Sequence, residues 1–94
     1  MHFVISCVDR SGQGHLRAEN RAAHLDYLNR HAAQIVAAGP TLSEDGATMT
    51  GSVLILEFAN RTAAEAFAAG DPYAKAGLFE TVTIRPWKKV FPAG

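Results

Sequence analysis

Long apolar runs are missing from this chain of 94 residues, and so is any surplus of charge. No apolar stretch approaches the ~20 residues that cross a bilayer, so no membrane span is expected. Lys+Arg and Asp+Glu both count 9, which leaves no overall field to draw nucleic acid or an anionic lipid surface. No nucleic-acid-binding motif is present either. The single cysteine, Cys7, excludes an internal disulfide and reads as a small buried apolar residue. The opening MHFVISCVDR turns polar too soon for a secretory h-region, so a reducing cytoplasm is expected. Gly12-Gln13-Gly14 lacks the further glycine or lysine of a nucleotide-binding loop and reads as a flexible lid at most. Of the four histidines, His24 and His31 share one side of a helical stretch. Two turns, about 10.5 Å of rise, separate them, too far to hold one ion. With no cysteine cluster, neither a metal site nor a cofactor is expected.

What is present is an ordinary globular balance, 48% hydrophobic and 19% charged, enough for one domain over residues 1–94. His2–Val8 alternates as a strand with Phe3, Ile5 and Cys7 on one face and Val4, Ser6 and Val8 on the other. Asp9–Gly14 is a loop by composition. Arg17–Val36 has the spacing of one long helix, with Leu25, Leu28, Ala32, Ile35 and Val36 as its apolar stripe and Gly39-Pro40 ending it. Thr41–Glu44 has room for a short strand before an Asp45-Gly46 turn. Gly51–Phe58 is the strongest strand. Asn60 or Thr62 caps a second helix, with Glu65 placed for a capping box, and Gly70 stops it. Asp71-Pro72 restarts a short helix that Gly77 ends, and Glu80–Lys88 is the last strand.

The order β-α-β-β-α-β is that of an α+β, ferredoxin-like sandwich, an antiparallel sheet with its helices on one face. The first and third strands are apolar on both faces, so the uncovered sheet face predicts a homodimer, sheet against sheet.

The first helix also carries the chemistry. Its stripe turns basic and polar toward the N-terminus, where Arg21 and His24 sit beside Leu25 and Leu28. A side chain like Arg21 is seldom buried without a partner. Either this end leans into solvent or it borders a cavity that holds an anion. Arg17, a turn earlier, fits a solvated helix start salt-bridged to Asp9 or Glu19. The block RAENRAAHLDYL, followed by GPTLSEDG, GSVLILEF and DPYAKAGLFETVTIRPWK, resembles the YciI-like (YCII-related) protein family along nearly the whole chain. The resemblance implies a dimeric α+β barrel and a pocket in which His24 faces Asp71. It further implies kinship with small enzymes such as muconolactone isomerases and cofactor-free monooxygenases.

On physical grounds, histidine exchanges protons near neutrality, and a carboxylate on one ring nitrogen fixes its tautomer. Asp71 before Pro72 is equally a helix N-cap, which needs no catalytic role. Tyr73 and Trp87 suit the walls of a pocket for a planar substrate, although Trp87 fits core or interface packing as well. Ser52 is placed to donate a hydrogen bond into it. The expectation is a small enzyme of the lyase or isomerase type. His24 and Asp71 form its acid/base pair, on a small anionic, aromatic or lactone-like substrate. A dimeric module that binds a small metabolite without transforming it is the alternative, with the loop at 11–14 closing over the ligand. An accessory domain with no ligand site is a third.

Overall fold

The computed structural model describes residues 1–93. Strands β1 (His2–Asp9), β2 (Ile35–Leu42), β3 (Met49–Glu57) and β4 (Phe79–Trp87) form one antiparallel sheet in the order β2-β3-β1-β4. Helices α1 (Gly14–Arg30), α2 (Arg61–Gly70) and α3 (Pro72–Lys75) connect them. The first β-α-β unit places β3 between its two strands, and the second places β1 between its two. This is the ferredoxin-like α+β arrangement.

Alternation in the two central strands decides where the core lies. Phe3, Ile5 and Cys7 of β1 pair with Leu56, Leu54 and Ser52 of β3, and all six are buried. Phe58, Ala64, Phe67, Tyr73, Leu78 and Phe79 close the core. Cys7 is a free, buried thiol. Burial and the nearby Asp71 and Asp9 carboxylates push it up to about 12, against Arg17's opposing pull, so it stays a thiol. The other face carries Val4, Val53 and Ile55, half-buried, and Val8, exposed. Among the described residues no helix is long and apolar enough to cross a membrane.

The first helix is shorter than its spacing predicts. It ends at Arg30, a 3₁₀ turn covers Ala32–Gln34, and Ile35 and Val36 open β2. Ile35 and Val36 match the helical period only by coincidence. Both are β-branched, and the pairing of Ile35 with Leu56 and of Ala37 with Ile55 of β3 draws this stretch into the sheet. The His31 amide bonds to the carbonyls of Leu28 and Asn29, and Gln34 Nε2 donates to the Glu57 carbonyl, which fixes the chain reversal. Val36 occupies a register shift and is 41% exposed. Gly39 and Pro40 lie within β2, not at a helix end; a proline is tolerated there because β2 is an edge strand. Leu25, expected in the buried stripe, is 51% exposed.

The second helix is capped by Asn60, whose side chain accepts from the Ala63 amide. Thr62 plays no such part, and Glu65 pairs with Arg61 instead of closing a capping box. Gly77, at φ +79°, supplies the left-handed residue that ends α3.

Candidate functional site

The site forms where α1 crosses the end of the sheet that carries Asp9, Gly51 and Ser52. Arg17, Arg21, His24 and Leu28 follow one another at helical spacing and line one long edge of a cavity of about 160 Å³. Ala38, Gly39 and Pro40 of β2, Met49, Ser52 and Leu54 of β3, and Tyr73 of α3 close the rest.

Arg17 is 7% exposed, although it stands in the second turn of a surface helix. Its Nε donates to Asp9 Oδ2 at 3.0 Å and its Nη2 to Asp9 Oδ1 at 2.8 Å. Nη2 also reaches the Gly51 carbonyl at 3.0 Å and Ser52 Oγ at 3.2 Å. Burial alone would lower its pKa, but the Asp9 carboxylate reverses this and holds the guanidinium above its ordinary range. Gly51 lets β3 lie close against β1 at this end of the sheet: a Cβ there would collide with the Cys7 carbonyl. The salt bridge to Asp9 agrees with the sequence reading, and the solvated setting does not. Residues 17, 21, 24 and 28 form one stripe, so Arg17 faces the sheet together with His24.

His24 is 8% exposed and Asp71 3%. His24 Nδ1 lies 2.9 Å from Asp71 Oδ1. A carboxylate only accepts, so Nδ1 carries the hydrogen and a neutral ring keeps its lone pair on Nε2. Among the described residues no hydrogen bond reaches Nε2, and no buried side-chain nitrogen or oxygen is left unpaired. Nε2 therefore retains accessible surface on the cavity side. Asp71 Oδ1 accepts the Tyr73 amide as well, at 2.9 Å, so the carboxylate caps α3 and holds the imidazole through one oxygen.

Tyr73 is stacked on His24, ring centroids 4.0 Å apart and planes 17° from parallel. The Arg17 guanidinium lies over the same ring at 4.7 Å. Seven residues along α1 rise about 10.5 Å, the room needed to slot a ring between the two side chains. Burial lifts the Tyr73 phenol above its ordinary range, with Arg17 and Arg21 pulling it down. Arg21 itself is exposed at the cavity edge. Trp87 lies elsewhere: it sits edge-on to His2 at the opposite end of the sheet, and the cavity does not reach it. Among the described residues no group of three or more His, Cys, Asp or Glu is placed to hold a metal ion.

This arrangement can hold a flat ligand against Leu25, Leu28 and Leu54, present it to an oriented imidazole, and set the Arg21 charge at its edge. The chain is similar to known proteins at different levels. A solved structure of 5-chloro-2-hydroxyhydroquinone dehydrochlorinase (TftG) from Burkholderia phenoliruptrix, in complex with 2,5-dihydroxybenzoquinone, is 41% identical with a TM-score of 0.89, covering 94% of each chain. Protein Atu4242 from Agrobacterium tumefaciens, 15% identical with a TM-score of 0.56 over 99% of this chain and 97% of its own, shares the fold alone. Protein YciI of Escherichia coli is 38% identical over 98 aligned positions, spanning 97% of this chain and all of the relative. The profile of the YCII-related domain matches residues 1–88, and the chain belongs to that family.

Proposed function

We propose that this chain is a small enzyme of the lyase or isomerase type that moves a proton on a planar, hydroxylated, anionic ring. His24 is its general acid/base and Asp71 the group that orients it. The observation that carries the reading is the buried 2.9 Å contact between His24 Nδ1 and Asp71 Oδ1, which leaves Nε2 toward the cavity. Tyr73 stacks on the imidazole and spreads the charge that forms there.

The dehydrochlorinase relative supports elimination as the reaction class. On a chlorinated hydroquinone, Nε2 takes a ring O–H proton and returns it to the chlorine-bearing carbon. A C–H bond and one C=O form. The para hydroxyl then gives up its proton as the second C=O forms, and chloride leaves with its bonding pair. Net HCl is lost, the ring becomes a quinone, and no external oxidant is needed.

The test offers 5-chloro-2-hydroxyhydroquinone to the wild type and to His24→Gln and follows quinone absorbance, with binding measured in parallel. A His24→Gln variant that still binds and turns over about 10²–10⁴ times more slowly is expected. Equal turnover overturns the assignment. Binding by the wild type with no turnover at all favours a metabolite-binding module instead.

We further infer that two copies pair through the sheet face that carries Val4, Val8, Val53 and Ile55, an apolar strip of a kind monomers seldom expose. Sedimentation velocity on the wild type and Val53→Lys checks this: a dimer that the lysine splits is the expected result.

A further inference from the structure

The cavity that holds His24 adjoins a second cleft, of about 360 Å³, between the first two turns of α1 and the β2–β3 hairpin. Arg17, Arg21 and Met49 are walls of both; Gly14, Ala18, Ala47 and Thr48 complete the outer one. A cavity of about 150 Å³ accommodates one benzene ring, so the inner cavity holds one six-membered ring and little more. A longer substituent has room to extend past Arg21 into the outer cleft.

The charges along that path are unequal in what they can still do. Arg17 is taken up by Asp9, Gly51 and Ser52. Asp71 is taken up by His24 and the Tyr73 amide. Asp45, on the hairpin, is engaged by Ser43 Oγ and the Ala47 amide. Arg21 forms no ion pair with any carboxylate among the described residues. Arg21 lines both compartments, and its charge pulls down the Tyr73 phenol. A fork of N–H donors stands uncompensated where the two compartments meet, and such a fork matches a carboxylate.

We propose that the outer cleft receives a carboxylate carried on a short arm of the substrate ring, gripped by Arg21, so that the enzyme acts on hydroxylated aryl carboxylates in preference to bare hydroquinones. The proposal rests on the reading above for the position of the ring. The experiment measures dissociation constants of hydroquinone and of dihydroxyphenylacetate, which adds one arm and a carboxylate, for the wild type, Arg21→Gln and Arg21→Lys. A charge-assisted pair predicts a preference of about tenfold or more for the acid in the wild type. That ratio collapses toward unity in Arg21→Gln and is partly kept in Arg21→Lys. Equal affinity of the wild type for both probes overturns the carboxylate subsite while leaving the ring site standing. So does a preference that survives in Arg21→Gln. If neither probe binds the wild type, the proposed function falls, and the subsite with it.

Discussion

Replacing Arg17 by methionine keeps most of the side chain's volume and removes every polar contact it makes. Asp9 is then left with a carboxylate whose side chain is 9% exposed, and the Gly51 carbonyl and Ser52 hydroxyl each lose a donor. Breaking a buried pair by removing one partner costs about 3–5 kcal/mol, mostly as the penalty of the stranded charge. A domain of this length has roughly 5–14 kcal/mol in all. With a urea slope of about 2 kcal/mol per molar, the midpoint of Arg17→Met should fall by about 2 M. The double variant Asp9→Leu, Arg17→Met removes the stranded charge along with its partner and should recover a good part of the loss. Arg17→Lys keeps the charge but not the fork, and should fall between. Urea titrations followed by circular dichroism close the cycle. A midpoint shift below about 0.5 M for Arg17→Met would mean that the pair behaves as a surface ion pair and not as a buried one.

Other consequences are as direct. With its pKa raised from 9.0 to about 12, Cys7 has about a thousandfold less thiolate at pH 8 than an ordinary cysteine. Iodoacetamide should label it only through unfolding, and labelling at the rate of a free thiol would contradict its burial. The unfolded chain ionises this thiol near 9.0 while the folded one does so near 12, so above pH 9 the unfolded state binds fewer protons. Its contribution, complete below 9, is lost as pH rises toward 12, and thermal melts across that window should show the decline. Gly51→Ala forces a Cβ against the Cys7 carbonyl, backbone that cannot yield, and should cost about 3 kcal/mol. Gly39→Ala meets nothing within 4 Å and serves as its neutral control by chemical denaturation. Asn60→Ala should lose about 1 kcal/mol through the missing cap, and Thr62→Ala far less, in the same assay.

The fold was legible where a local signal and tertiary packing agree. Alternation through Phe3, Ile5 and Cys7, and again through Leu54 and Leu56, marks two strands whose inner faces become the core. The fold failed to show at Ile35 and Val36, where a helical period continued by chance into residues whose state is set by β3, with Leu56 lying 21 positions after Ile35. The His24–Asp71 contact was legible only through family resemblance, since 47 residues separate the two and no local rule joins them. Arg17 was misplaced for a related reason. An arginine at a helix start has solvent as its default, and only the arrival of Asp9 and the Gly51 carbonyl from two different strands makes burial tolerable. Trp87 shows the limit of residue type as a guide: an aromatic suited to a pocket wall packs on His2 instead.

Asp71 is both helix cap and histidine partner. A single oxygen, Oδ1, takes both the Tyr73 amide and His24 Nδ1. The cap fixes the carboxylate by backbone geometry, with Pro72 at the first helical position holding the turn, so the imidazole meets an acceptor that cannot swing away. Capping also places Tyr73, two residues on, against the same imidazole. One turn thus positions both groups that contact His24. The two roles separate by substitution. Asn caps helices and still offers an oxygen to His24 Nδ1, so Asp71→Asn should stay within about 1 kcal/mol of the wild type in denaturation. Asp71→Ser keeps the cap and loses about 1–3 kcal/mol through the unmet Nδ1–H. Neither supplies the negative charge that stabilises a forming imidazolium, so turnover should fall by about 10²–10⁴ in both. Nitrogen NMR should show the Nδ1–H tautomer of His24 weakened. Loss of stability with turnover per folded molecule intact would make Asp71 a cap and nothing more; the reverse pattern makes the cap the device by which the fold aims a base.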